Sequence, residues 1–389
     1  MNKTRRRILQ ASLAGSAALI SGCVRSDNEP DESKEVLRSN QSLKILILGG
    51  TGFIGPHMVH EALRRGHEIS LFNRGRTNRT LFPDLELLVG DRNNQLDALK
   101  GRRWDAVVDN SGYVPRHVAD SAQLLSSAVS HYIYVSSVSA YAAMSGNLTA
   151  ADYHDVDVPN LEYESPLVTM PDETVEEVTS ETYGPLKVLC ERAATEAMGE
   201  DRITILRPTW VAGPGDNSDR FTYWPVRVSR GGEMLVPGSP VDRIQIVDVR
   251  DLANFVVDSL EQRITGIYNM VNPPGTYSMG QFMADCQPLV ANAASLTWVD
   301  LPFIEANGLY ASGQLPIWAP VSGDTRSDAI VNGDRSFAKG MKTRPERETI
   351  RDILQWWPTL SEERRSNIRA GMSAEREAEM LAAWRAQQA

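Results

Sequence analysis

The protein has 389 residues, 42% of them hydrophobic and 23% charged, the balance of a folded globular chain with ample material for a core. Fifty acidic against 40 basic residues leave a net charge of −10, so no overall basic field draws nucleic acid or anionic lipid. The cysteines at 23, 190 and 286 form neither a CxxC pair nor a secreted-type disulfide framework, which sets aside a structural zinc site.

Lys3, Arg5, Arg6 and Arg7 precede an apolar run from Ile8 to Ile20 that is too short to cross a bilayer comfortably as a ~20-residue helix. Thr4 to Gln10 resembles a bacterial twin-arginine signal, and Leu19-Ile20-Ser21-Gly22-Cys23 resembles a lipoprotein box whose cysteine is acylated. The expectation is an export leader over 1–22 and a polar, lipidated tether over 23–43. The protein would then be exported already folded and anchored by Cys23 on the periplasmic or other extracytoplasmic side of a membrane. A misassigned start and a cytoplasmic protein form the alternative.

The folded part is expected from Lys44. Lys44 to Leu48 is a β-rich run that passes into Gly49-Gly50-Thr51-Gly52-Phe53-Ile54-Gly55, after which Met58, Val59 and Leu63 recur at helical spacing. Glycines suit such a turn because the backbone bends sharply, lets a pyrophosphate approach main-chain N–H groups, and packs helix closely on strand. Further strands are predicted at 68–73, 86–89, 106–109, 132–135 and 203–206, and helices at 117–127 and 187–198. Strands separated by helix-length segments predict an α/β, Rossmann-type doubly wound parallel sheet over 44–213. The second strand ends in Asn73, followed by Arg74 and Arg76. An amide with two nearby guanidiniums favours a 2′-phosphate, hence NADP over NAD, although either Arg also reads as a solvated loop charge. Asp91 is read as an adenine-edge contact or a turn residue.

Two later segments carry hydroxyl, phenol and ammonium groups. Ser136-Ser137-Val138-Ser139-Ala140-Tyr141 follows a buried strand, and Tyr183-Gly184-Pro185-Leu186-Lys187 spaces a phenol and an ammonium by one helical turn. A phenol of pKa ~10 needs a neighbouring cation to act as base near neutrality, which Lys187 can supply. A serine hydroxyl can hold the substrate oxygen while hydride moves. With the glycine turn, Arg207-Pro208-Thr209-Trp210-Val211-Ala212-Gly213-Pro214 and Val247-Asp248-Val249-Arg250-Asp251-Leu252-Ala253, the chain from about Lys44 to Trp357 resembles the extended short-chain dehydrogenase/reductase family, the NAD-dependent epimerase/dehydratase group. The resemblance implies catalysis by Ser137, Tyr183 and Lys187, with Ser136 as the other serine in view. It also implies an NAD(P) cofactor, with Lys187 holding the nicotinamide ribose.

Ala140, Tyr141, Ala142 and Ala143 stand where the family's dehydratases carry an acid pair, which argues against sugar dehydration. An acidic, proline-containing stretch over 142–182 reads as an insertion near the site. Residues 214–345 are expected to form most of a smaller substrate-binding subdomain, with 244–271 returning to the sheet. Arg220, Tyr223, Trp224, Arg227 and Gln245 are its candidate contacts, the aromatics reading equally as packing. Asp248 is placed to cap the helix that follows it. His57 and His60 read as packing or surface groups rather than a metal pair, and Cys190 as a small buried residue. The C-terminal helices over 346–389 end in a segment read as a docking helix or a homodimer contact.

An exported enzyme has no soluble pool with which to exchange spent cofactor, so a redox-neutral reaction fits best. The expectation is an NAD(P)-dependent epimerase-like enzyme acting on a carbohydrate hydroxyl by hydride abstraction and return. The alternatives are an NADP(H)-dependent reductase or dehydrogenase and a non-catalytic nucleotide-binding scaffold. The expected partners are a small-molecule substrate and, through Cys23, a membrane, with no nucleic acid.

Overall fold

A computed structural model describes residues 42–145, 161–310, 313–319 and 331–389. The leader, Cys23, the tether up to residue 41 and the 146–160 part of the acidic insertion lie outside the described residues. Among the described residues, no helix is long and apolar enough to cross a membrane.

Lys44–Leu48 forms β1, with Ile45 to Leu48 all buried, as a strand covered on both faces requires. The glycine turn leads into α1 (Ile54–Arg64), whose Met58, Val59 and Ala62 face inward at helical spacing. Then come β2 (Glu68–Asn73), β3 (Glu86–Val89), β4 (Ala106–Asp109), α2 (Pro115–Leu125), β5 (His131–Val135), α3 (Ser180–Met198) and β6 (Ile203–Pro208). The helix predicted from His117 starts at Pro115, because proline needs no N–H partner in a first turn. The helix predicted from Lys187 starts seven residues earlier, at Ser180, because Thr179 and Thr182 form a reciprocal capping box. That early start places Tyr183 on the same helix as Lys187.

The chain continues through β7 (Trp210–Ala212), α4 (Tyr223–Ser229), β8 (Glu233–Pro237), β9 (Ile246–Asp248), α5 (Val249–Gln262) and β10 (Gly266–Met270). It ends with α6 (Met279–Cys286), β11 (Ser295–Val299), α7 (Leu301–Ala306), α8 (Asp334–Ala338), α9 (Glu346–Trp356), α10 (Glu362–Ser366) and α11 (Ala374–Gln388). The main sheet has seven strands in the order β10-β6-β5-β4-β1-β2-β3, and every neighbouring pair is parallel. This is the doubly wound α/β architecture the alternation predicts. α1 and α5 bury one face of the sheet, where Met58 and Val59 meet Leu252 and Phe255. α2 and α3 bury the other, where Val118 and Leu125 meet Cys190 and Ala194. Asp248 caps α5 by accepting from the Arg250 N–H, as its position suggests.

A second core lies around the parallel pair β8 and β11, with α4, α6, α9 and α11 packed about it. It claims four of the predicted substrate contacts. Tyr223 and Trp224 are fully buried, and the Trp224 indole donates to the Pro316 carbonyl. Buried Gln245 bonds the main chain of Asn272 and Val331. Arg227 gives Nε–H to Glu377 at 2.6 Å and its other donors to the carbonyls of Gly231 and Glu233. All four are therefore framework rather than site: α4 is buried along nearly its whole length, so its aromatic and basic side chains have only interior partners. Glu377 belongs to α11, whose Met380 and Leu381 are buried in the same core, so the last helix docks within its own chain.

Glu377→Ala should leave the Arg227 guanidinium buried and unpaired. We expect a loss of about 3 kcal/mol in urea-monitored unfolding, and substantial recovery when Arg227→Met is added. An equal loss in the single and double variants would show that the pair does not hold α11 in place.

Candidate active site

In an open parallel sheet, ligands bind beyond the carboxyl ends of the strands where the chain switches direction, here between β1 and β4. A cleft of about 370 Å³ lies there, with Gly49, Thr51 and Gly52 on one side and Ser111 and Tyr113 on the other. The turn is glycine-dependent: Gly50 has φ +91°, and a Cβ on Gly55 would lie 2.5 Å from the Gly50 Cα. α1 starts at the cleft with no side-chain cap on its first turn, so its free N–H donors and dipole are available to an anion. Phe53 and Ile54 stand at the start of α1, where their side chains pack on His57 and the core respectively.

Asn73 lines the cleft but is occupied: its amide donates to the Gly49 carbonyl at 3.1 Å and accepts from the Gly75 N–H at 2.8 Å. It shapes the turn that a nucleotide would meet. Arg74 and Arg76 line the same rim and form no ion pair among the described residues. Asp91 combines its two readings, accepting from the Asn93 N–H in a turn while facing the cleft. A feature the sequence did not reveal lies beneath. Arg92 is buried and makes a bidentate pair with Asp109, which also accepts from the Tyr132 hydroxyl. The Asp-Arg dipeptide after the third strand was the available signal, but nothing local announces that Arg92 turns inward.

Lys187 is almost fully buried at the inner end of the cleft. Its ammonium donates to the carbonyls of Gly112 and Val135, each at 2.9 Å, and lies 4.6 Å from the Tyr113 ring centroid and 5.0 Å from that of Tyr134. Among the described residues, one of its three donors remains free. Tyr183 lies one turn earlier, with its ring centroid 5.9 Å from the ammonium. Gly184 follows because α3 passes so close to the Ser137–Ser139 turn that a Cβ there would meet the Ser139 carbonyl at 2.2 Å. Tyr183 therefore reaches Ser137. Burial raises its phenol, and a hydrogen bond with Ser137 and the charge of Arg220 pull it back. Of the five predicted substrate contacts, Arg220 alone stays exposed, with its guanidinium 4.5 Å from the Trp210 ring centroid and its Nε–H on Ser218 Oγ.

The structure also separates the two serines. Ser136 is committed to buried Glu191, which in turn makes a bidentate pair with Arg207. Among the described residues, Ser137 has only the neighbouring Ser139 besides Tyr183. Arg207 covers the Tyr141 ring, and the Tyr141 hydroxyl donates to Asn269, so Tyr141 is framework. His57 Nε2 meets the Pro214 carbonyl at 2.9 Å, His60 packs on Phe82, and the Cys190 thiol is buried, as expected of each. No cluster of metal-ligating side chains is present among the described residues.

The sequence profile of the NAD dependent epimerase/dehydratase family matches residues 45–271, more than half the chain. The chain belongs to this family. It is 24% identical over 267 residues to the chloroplast stem-loop binding protein of 41 kDa b from Arabidopsis thaliana, covering 63% of each protein. It is 25% identical over 256 residues to the epimerase family protein SDR39U1 of Bos taurus, covering 62% of this chain and 78% of that one. Among solved structures, the Bordetella bronchiseptica enzyme WbmG in complex with NAD and UDP superposes with a TM-score of 0.59 at 18% identity. The superposition covers 87% of this chain and all of that one, a likeness of fold.

Burial brings the Lys187 ammonium down to about 8, against an ordinary lysine near 10.4. A depressed lysine binds fewer protons folded than unfolded between these values, so its contribution to stability improves as pH rises from about 8 toward 10. The difference in unfolding free energy between the protein and Lys187→Met should shift by about 2 kcal/mol in favour of the unsubstituted protein between pH 7.5 and 9.5, read by urea titration. A pH-independent difference would mean that Lys187 titrates as an ordinary surface lysine.

Proposed function

We propose that the protein is an NAD(P)-dependent epimerase-like enzyme acting on the hydroxyl-bearing carbon of a sugar. The observation that carries this reading is the hydrogen bond of Tyr183 with Ser137, with the Lys187 ammonium 5.9 Å from the Tyr183 ring centroid at the inner end of the nucleotide-type cleft. The residues fit a dinucleotide: the uncapped start of α1 and the turn around Gly52 suit a pyrophosphate, and the free donor of Lys187 suits a ribose hydroxyl. When bound, nicotinamide supplies a reversible hydride acceptor. Ser137 would hold the substrate oxygen by hydrogen bond. Tyr183 would take the hydroxyl proton and give it back after the carbon has been presented on its other face. Lys187 would keep the charge balance of that exchange favourable while staying fixed to two carbonyls. The WbmG structure, a complex with NAD and UDP, supports a nucleotide-linked sugar as the substrate class.

A captive cofactor and a redox-neutral cycle agree with the leader-like sequence and with anchoring at Cys23 outside the cytoplasm. The direct test is to purify the protein from the membrane fraction, denature it and identify any released nucleotide by mass and absorbance. Stoichiometric NAD or NADP is expected, and Tyr183→Phe should retain it while losing at least about 100-fold in turnover. Protein that is empty and binds added NADPH reversibly would instead make it a reductase. Full turnover by Tyr183→Phe would remove Tyr183 from the chemistry.

The cofactor reading turns on Arg74 and Arg76. Two guanidiniums that form no ion pair among the described residues, beside a neutral Asn73, favour NADP. The double variant Arg74→Gln/Arg76→Gln should weaken NADPH binding by about tenfold or more and leave NADH binding within about twofold, measured by fluorescence titration. Equal losses for both nucleotides would assign the arginines to the loop rather than to a phosphate.

A further inference from the structure

The acidic insertion lines no part of the nucleotide cleft. Its residues 168–172 and Val175 instead wall a second cavity, together with Ser139, Met144 and residues 180–185 at the start of α3. The volume is about 660 Å³, within the roughly 300–1,000 Å³ typical of small-molecule sites. The wall is fastened to the body of the protein. Val168 N–H donates to the Ala140 carbonyl and Ala142 N–H to that of Pro166, each at 2.9 Å. Further along, Glu176 accepts from Arg116 at 2.8 Å, and Glu173 pairs with Arg192. Tyr183 lines this cavity, Tyr113 lines the nucleotide cleft, and their ring centroids are 6.4 Å apart. The two spaces therefore meet at this pair of rings.

The chemistry of the lining differs from that of the cleft. Met144, Val168, Met170, Pro171, Val175 and Pro185 give it an apolar wall, and thioethers adapt to irregular apolar shapes. No Lys or Arg is among its described lining residues, so a phosphate would find no counter-ion there. Most of the polar members are engaged in their own turns. Thr182 Oγ1 donates to the Glu177 carbonyl, the Thr179 and Ser180 hydroxyls donate to Glu181, and Asp172 accepts from the amide and hydroxyl of Thr174. Ser139 Oγ accepts from Ser137. Ligand hydroxyls pushed into this space would leave water for few new partners, whereas hydrocarbon gains by leaving water.

We infer that this cavity receives an uncharged hydrocarbon group carried by the substrate next to the reacting carbon. The inference rests on the reading of Tyr183 as the group that exchanges the substrate proton, because Tyr183 is the member of the lining that makes the occupant part of the substrate. The sugar hydroxyl would then be met at Tyr183, with the nicotinamide in the cleft on the Tyr113 side and the hydrocarbon against Met170 and Val175. The insertion thus acts as a specificity element, selecting a sugar that bears an apolar substituent over a bare one.

The test is calorimetric titration of the full chain with methyl, butyl and hexyl glucoside, each kept below its micelle concentration. Affinity should rise about tenfold or more from the methyl to the hexyl compound, since each methylene that leaves water strengthens binding about three- to fourfold when fully buried. Met170→Asp and Val175→Asp, each at a partly exposed position of the wall, put a carboxylate where the chain would lie and should reduce that gain to about twofold or less. Met170→Leu should keep it, and urea midpoints verify that the variants fold. Equal affinities for the three glucosides, no binding included, would overturn the proposal, as would a chain-length gain that survives in both aspartate variants. Because these are binding measurements, they judge the cavity apart from the chemistry: equal affinities combined with loss of turnover in Tyr183→Phe would remove this proposal and leave the epimerase reading standing.

Discussion

A lysine ammonium held almost out of water is the constraint from which the site follows. Removing such a charge from solvent is costly unless its donors are met, and Lys187 meets this cost with two main-chain carbonyls at the carboxyl ends of β4 and β5 and the faces of Tyr113 and Tyr134. Those bonds set the rotation of α3 against the sheet. On the same face, one turn before, Tyr183 arrives at Ser137; one turn after, Glu191 arrives at Arg207 and Ser136. A single helical stripe thus carries the Tyr183 phenol, the fixed cation and the brace that commits Ser136 to Glu191. The close pass that this orientation demands is also why a glycine follows Tyr183.

Buried ion pairs repeat this arrangement elsewhere. Arg92 with Asp109, Arg207 with Glu191, Arg227 with Glu377 and Arg364 with Asp219 each join segments distant in sequence. Such pairs add little net stability over an apolar replacement, but breaking one leaves an unsatisfied charge, so they tie particular surfaces together. Asp248 extends the theme, pairing with Arg250 while Thr349 donates to it from α9. Around the cleft the pattern reverses: Arg74 and Arg76 form no ion pair among the described residues. The same chemistry therefore appears in two forms, closed inside the fold and open at the site.

Much of the nucleotide half was legible in the sequence because its signals are local. A strand, a glycine turn and an amphipathic helix are read from adjacent residues, and β2, β3 and β4 run where the apolar stretches place them. The Tyr183–Lys187 spacing announces a helical turn, although the true start of α3 depends on a Thr179–Thr182 box that a leucine-poor first turn conceals. The substrate side was not legible for the opposite reason. Tyr223, Trp224, Arg227 and Gln245 have the residue types of a binding site, and only their partners, Pro316, Glu377 and the main chain near 272 and 331, distinguish a core from a pocket. Arg220 has the same residue type as Arg227. It differs in being exposed and stacked on Trp210 rather than buried, a fact of three-dimensional placement that no spacing contains.

Two cations of different kinds bear on the site. Lys187 is immobilised, and its charge is directed into carbonyls and ring faces. Arg220 is exposed and stacked on Trp210, and its charge is felt at the Tyr183 phenol. Burial raises that phenol, while Ser137 and Arg220 pull it back. To act as a base, the phenol would first have to give up its own proton, and both opposing influences favour the deprotonated form. The burial that keeps water from the site therefore works against the base it would house, and the neighbouring hydroxyl and cation limit that cost.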